Sequence, residues 1–572
     1  MKKLLLSISS LIICGFLNAQ SPSFQWAKVL PGAHGTKSVA VDAAGNVYSI
    51  GISYGGDFDP SSASYTLPLV YGGTYVSKLD ASGNFLWAKQ FGGDNTSCPT
   101  TPKGLDVDAA GNVYITGYFN GAPDFDPSSS TFSITTTMFN DVFIVKLDPA
   151  GNFVFAKNFG GSNIEEGEAI KVDASGNIYS TGKFRNTVDF DPSVGTYTLN
   201  TIASSFDVYV AKLDASGNFL WAKNFSGGGD EVAAGLSIDA VGNVFVTGGF
   251  LFNVDFDPSS AVNTLIPANS GQSDAFIVKL DPSGNLVWAK NMGGTKDVNS
   301  TSVKIDNLNN AIVGGYFAGV ADFDPSVSTN TLSSNGFTDV FIAKFDGSGN
   351  FLWAKQVGGP QIDLLFSIAL DASNSVFSTG SFMVGADFDP SSSSTTSLTA
   401  MHSSHSDAFI LKLDASGGFG WARQLGSTNL VGTQGNSLAV DASSNLITGG
   451  GLQGPVDFDT EASTYTLTAS PGNNFILKMQ TGSVGLNEIA NADDINIYPN
   501  PVSDVLNIDL QMAHGISGNS IIHVTISLGQ ILFSQTVESS KIAINASNFN
   551  KGIYFVSIVN GGISKTRKIV VQ

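Results

Sequence analysis

Apolar and polar residues alternate along this chain in short runs. "NVYSIG" (Asn46–Gly51), "TYVSKLD" (Thr74–Asp80) and "NFLWAKQF" (Asn84–Phe91) are β-rich runs with the period of two of an extended strand. Between them stands Asp-x-x-Gly-Asn, as in "DAAGN" (Asp42–Asn46) and "DASGN" (Asp80–Asn84). Gly or Asn supplies the positive φ such a turn needs, and Asp can hydrogen-bond its own turn backbone. The run before Asp42 and the three quoted runs therefore predict four strands in order, joined as two hairpins.

The phrase recurs. "DFDP" starts at Asp57, Asp124, Asp189, Asp255, Asp322 and Asp387, and "DFDT" at Asp457, in steps of 67, 65, 66, 67, 65 and 70 residues. Seven four-stranded units predict an all-β, seven-bladed β-propeller. The blades fall at about 31–93, 94–161, 162–228, 229–294, 295–359, 360–426 and 427–480. The last unit ends in "NFILKMQTGS" (Asn474–Ser483), a third strand with no fourth, while "FQWAK" (Phe24–Lys28) is a fourth strand with no hairpin before it. Pairing Phe24–Leu30 with Phe475–Met479 makes residues 22–30 the last strand of blade seven and leaves no open edge. This order puts the DFDP loops and the connections after "FGG" on one face, opposite the Asp-Gly hairpins.

"DASGNIYSTG" (Asp173–Gly182) and "DAFIVKLDPSGNLVWAKNMGG" (Asp274–Gly294) resemble the bacterial seven-bladed β-propeller repeat family (SBBP), a likeness spanning residues 22–482. The repeated DFDP departs from that family's pattern. Asn309, Asn374 and Ser444 stand where the earlier copies have the turn glycine. After Gln480 the repeat stops: 481–492 reads as a linker, and 493–572 predicts a small Ig-like β-sandwich. Within it, Tyr498-Pro499-Asn500-Pro501, Gly552-Ile553-Tyr554 and the run Lys565–Val571 resemble the type A C-terminal sorting domain of the type IX secretion system of Bacteroidetes. That resemblance implies export across the outer membrane, with the secretion machinery as partner of residues 493–572. It also implies removal of the domain and attachment to surface lipopolysaccharide.

Residues 1–19 agree with export. Lys2 and Lys3, the apolar stretch Leu4–Leu17 and Asn18-Ala19 read as a cleavable signal peptide leading to the periplasm. No other stretch of 18 apolar residues exists, so no membrane span is expected. Only Cys98 remains after cleavage, which excludes an internal disulfide. With 64 glycines and 13% charged residues, long amphipathic helices are disfavoured. The net charge of −20 would repel phosphate and argues against nucleic acid as a partner. Of the 48 acidic residues, 27 belong to the DFDP pairs and hairpin turns, so the acidity is mostly architecture. A monomer is expected.

The candidate chemistry begins with the paired carboxylates: Asp57 and Asp59, Asp124 and Asp126, Asp189 and Asp191, Asp255 and Asp257, Asp322 and Asp324, Asp387 and Asp389, Asp457 and Asp459. Residues two apart in an extended segment share a side, so each pair can meet one calcium ion, which needs six to eight oxygens and hence help from a neighbouring loop. The structural reading has Asp capping a turn, Pro stiffening it and Phe anchoring it. Sevenfold recurrence favours that reading, and no other cofactor is implied. Trp26, Trp87, Trp221, Trp288, Trp353 and Trp421 share one repeat slot, filled by Phe155 in blade two; packing between blades suits it better than a sugar-stacking row. "HSSH" (His402–His405) reads as a solvated loop and "IEEGEA" (Ile164–Ala169) as a charged loop. There is no Gly-x-Ser-x-Gly, HExxH or phosphate-binding glycine loop. The expected function is non-catalytic binding or adhesion to an extracellular glycan, polymer or protein, through the DFDP face. The alternatives are a hydrolase or lyase with a site in the central channel, and a purely structural envelope protein.

Overall fold

Each Asp-x-x-Gly-Asn closes as its chemistry requires. Asp42 Oδ1 accepts the backbone N–H groups of Ala44 and Asn46 at 3.0 and 2.9 Å, and Asn46 Nδ2 donates to Oδ2 at 2.8 Å. Asp80 repeats the pattern with Ser82 and Asn84. Asn309, Asn374 and Ser444 adopt the same left-handed turn, with φ of 61° at each. In the computed structural model the described residues are 22–93, 99–202, 204–391, 393–427, 432–452, 454–459, 464–469, 474–481, 495–510, 521–526, 531–536, 541–547, 549–560 and 563–572. The signal segment, Cys98 and linker residues 482–492 lie outside them.

The hairpins build seven four-stranded antiparallel meanders, extended by two-stranded DFDP ribbons. The first strands are Ala33–Val41, Thr100–Val107, Glu166–Val172, Glu231–Ile238, Val298–Ile305, Leu364–Leu370 and Gln434–Val440. Each touches the first strand of the next blade, and the seventh touches the first, so the sheets form a closed ring. Closure is made by Ser23–Lys28 against Asn474–Gln480, with Phe24 opposite Met479 and Lys28 opposite Ile476. This is the pairing predicted from the unpaired half-hairpins.

Two devices join successive blades. The Phe of every DFDP marker is fully buried and lies against an aromatic of the third strand in its own blade, from Phe58 on Tyr75 at 5.2 Å to Phe458 on Phe475 at 5.3 Å. It thereby fixes a ribbon whose backbone pairs with the glycines ending the preceding blade, as Gly160 does with Asp189 and Gly293 with Asp322. The second device is the Trp slot. Trp26, Trp87, Trp221 and Trp288 donate Nε1–H to a carbonyl in the next blade's last hairpin, at 3.2–3.3 Å. Their rings lie on that hairpin's glycine: Gly83 under Trp26, Gly151 under Trp87, Gly284 under Trp221, Gly349 under Trp288. The slot is inter-blade packing. Blade seven has no such hairpin, because its fourth strand comes from the other end of the chain. Trp421 Nε1, which would need it, is buried without a hydrogen-bond partner.

The chain divides into two compact units, Met1–Gly482 and Ser483–Gln572. In the second, strands Ile495–Tyr498, Val505–Leu510 and Lys541–Asn545 form one sheet, and Ile521–Ile526, Ile531–Thr536, Gly552–Asn560 and Ile563–Val571 another. Both sheets contribute to one core, including Leu506, Ile508, Val524, Ile544, Val556 and Ile569. Asn500 holds the final strand: its Oδ1 accepts the N–H of Val570 at 2.8 Å and its Nδ2 donates to the Lys568 carbonyl at 3.1 Å.

Candidate binding face and central channel

The DFDP carboxylates are turn-formers in this geometry. Asp57 Oδ1 accepts the N–H groups of Asp59 and Tyr65 at 3.0 and 2.9 Å. The same fork recurs at Asp124, Asp189, Asp255, Asp322, Asp387 and Asp457. The second carboxylates (Asp59, Asp126, Asp191, Asp257, Asp324 and Asp389) accept the N–H of a serine two residues on. Slight desolvation works against the Asp57 carboxylate, yet these backbone donors hold it below the usual range. Among the described residues no three His, Cys, Asp or Glu side chains group as a metal set. His402 and His405 face each other, Nδ1 to Nδ1 at 3.0 Å, in the loop of blade six.

The same face of the ring carries exposed apolar side chains on the connections between second and third strands. Tyr54, Leu69, Tyr71, Met138, Phe139, Phe252, Ile266 and Phe337 all stand there, with Tyr71 61% and Phe337 66% exposed. On blade one, His34 and Tyr71 flank Tyr54 edge-on, with ring centres 4.8 and 6.4 Å away.

A channel of about 490 Å³ runs between the seven first strands. Every one of these strands carries a β-bulge at the same place, and a bulge re-aims the extra residue. The residues skipped in the register are Lys37, Lys103, Glu168, Ala234, Thr301, Phe366 and Asn436, and all seven line the channel. Three positions further along lies a second ring that includes Asp106, Lys171, Ser237 and Lys304. Lys171 pairs with Asp106 at 2.7 Å and Lys103 with Glu168 at 3.1 Å. Desolvation opposes the Lys103 ammonium, but Glu168 more than compensates and raises it. Lys304 is different: burial, reinforced by Lys171, pushes it down to about 7.

"IEEGEA" is therefore not a charged loop. Glu166–Val172 is an innermost strand, and both of its acids are paired with lysines there. Glu165 is wholly buried and accepts the Gly161 N–H at 3.1 Å; desolvation and the Asp141 carboxylate push it up to about 8. Glu166 pairs with Lys183 at 3.2 Å and Glu168 with Lys103. The channel residues were absent from the sequence-based candidates. Their signal was present in the repeat frame: they occupy the slots four and one before the apolar residue of the "VDAAGN" phrase, where the seven copies disagree.

Family models match a segment of each unit of the chain. Residues 496–572 match the secretion system C-terminal sorting domain, and residues 86–123 the β-propeller repeat. A WD repeat-containing protein of Acanthamoeba polyphaga mimivirus, itself uncharacterised, is 26% identical over 54% of this chain and 26% of its own length. The regulatory protein FlaEY of Caulobacter vibrioides is 24% identical over 55% of this chain and 34% of its own. The chain thus spans only 26% and 34% of the length of these curated relatives. Among solved structures, PorZ, an essential surface component of the type IX secretion system of Porphyromonas gingivalis, aligns over 96% of this chain and 100% of its own, at 10% identity and a TM-score of 0.27.

Proposed function

We propose that this exported chain, which carries a β-propeller repeat and a type IX sorting domain, is a monomeric, non-catalytic scaffold that holds an extracellular polymer at the cell surface. Its sorting domain engages the secretion machinery and directs it to the surface or the medium. The observation that carries the binding role is the gathering of exposed aromatic and aliphatic side chains on one face, with Tyr54, Tyr71, Phe139, Phe252 and Phe337 among them. Exposed apolar area concentrated on loops above a rigid ring marks an interaction surface. Aromatic rings favour a glycan, whose C–H faces stack on them while its hydroxyl groups stay in water.

The test is a panel of immobilised polysaccharides probed with the exported protein and with a Tyr54→Ser/Tyr71→Ser variant. At least one polymer should retain the protein, and the variant should bind it at least tenfold more weakly at unchanged melting temperature. Release of new reducing ends from any polymer would replace the scaffold with an enzyme. Equal retention of both proteins would remove the face from the account.

A further inference from the structure

Six charged side chains line the channel: Lys37, Lys103, Asp106, Glu168, Lys171 and Lys304. Both carboxylates are fully engaged by partners of their own. Asp106 accepts Lys171 Nζ on Oδ1 at 2.7 Å and the Val172 N–H on Oδ2 at 2.9 Å. Glu168 takes Lys103 with both oxygens, each at 3.1 Å. Lys37 and Lys304 are left with no carboxylate within ion-pair distance among the described residues. A chain of net charge −20 therefore gathers four lysines against two carboxylates in its central cavity.

Lys37 is exposed to the channel and Lys304 half-buried in it; amines gathered without counter-charge repel one another when protonated, and an anion entering beside them relieves that repulsion. The cavity has the volume of an ordinary small-ligand site. Its walls from blades four, six and seven are uncharged, with Ala234, Ser237, Phe366 and Asn436. The free lysines belong to different rings, three residues apart along a strand, which is roughly 10 Å. Two anionic groups set apart along the axis match them better than one compact ion.

We propose that the central channel binds a small organic dianion, of up to disaccharide size, whose two carboxylates meet Lys37 and Lys304. An acidic disaccharide and an aliphatic diacid share this chemistry. Lys304, held near neutrality at about 7 by burial and by Lys171, gains a proton when the carboxylate arrives. The charged groups facing it are Lys171 and Asp106 in its own ring and Lys37, Lys103 and Glu168 in the next. The site is separate from the exposed face, so its failure leaves the polymer-binding reading intact.

Isothermal titration of the full chain at fixed ionic strength tests the proposal with digalacturonate, adipate, neutral cellobiose and inorganic phosphate. Digalacturonate or adipate should bind with a Kd of millimolar or tighter, and cellobiose should not bind. Lys37→Gln/Lys304→Gln should weaken the diacid at least tenfold, while Lys304→Arg, which keeps the charge, should retain it. At pH 8 the heat should vary with the buffer's ionisation enthalpy, reporting proton uptake, and should lose that dependence in Lys304→Gln. The Gln variants remove uncompensated charge and should fold, as circular dichroism would verify. The proposal is overturned if neither diacid binds, if the double variant binds as well as the wild type, or if phosphate binds more tightly than both diacids.

Discussion

Gly242 and Gly284 sit in the two hairpins of blade four with nearly the same backbone, φ +87° and +81°. Alanine at either must hold a left-handed conformation, which costs about 1–2 kcal/mol. Their surroundings differ. A Cβ at Gly242 would meet only Pro282, at 3.5 Å, whereas at Gly284 it would meet Lys223 Cε at 3.0 Å and Trp221 Cδ2 at 3.2 Å. The indole would have to move, and it is tied by Nε1–H to the Pro282 carbonyl at 3.2 Å. Overpacking adds about 1 kcal/mol and a weakened hydrogen bond about 1 kcal/mol more. Gly284→Ala should therefore be destabilised by about 2 kcal/mol beyond Gly242→Ala. Unfolding entropy is roughly 1 kcal/mol/K for a ring of this size, so calorimetry should separate the melting temperatures by about 2 °C. The repeats point the same way: the first hairpin accepts Asn309, Asn374 or Ser444, while Gly83, Gly151, Gly217, Gly284, Gly349 and Gly417 are retained in the second. Equal melting of the two variants, or a worse Gly242→Ala, would refute the claim that the glycine is a seat for the neighbouring ring.

Removing Ser21–Leu30 takes away the fourth strand of blade seven with Trp26, Ala27 and Leu30, all buried. At about 1.5–3 kcal/mol for each large apolar side chain, the ring should melt several degrees lower and expose an adhesive edge; a truncation that melts like the whole would contradict closure by this strand. Asp189→Ala removes the acceptor for Asp191 and Tyr197 and should cost about 1 kcal/mol, with EDTA leaving the wild-type melting temperature unchanged. A large drop in EDTA would instead make the DFDP pairs calcium ligands.

The strands and their closing partner were legible because a period of two, punctuated by Asp-x-x-Gly-Asn, is a local signal repeated many times. The unmatched halves at Phe24 and Phe475 needed only each other. The channel was not legible in that way. A run such as "TKSVAV" (Thr36–Val41) reads as an ordinary strand, and the bulge that turns Lys37 inward exists only in its register with Ser49–Ile52. The acids of "IEEGEA" resemble a loop in sequence because their density of charge suggests solvent until partners such as Lys103, 65 residues away, are known. The DFDP turns lay between these cases. The local Asx bonds follow from the residues, but the stitch from Asp189 to Gly160 is a contact between blades.

Asn474–Gln480, the strand from which the chain leaves for the sorting domain, has Asn445–Gly451 on one flank and Ser23–Lys28 on the other. Tension applied through the C-terminal segment enters the ring at Gln480. An outermost strand would peel away one hydrogen bond at a time. A strand gripped on both flanks yields only when two ladders slip together, so the N-terminal strand doubles as a mechanical clamp at the point where the chain leaves the ring.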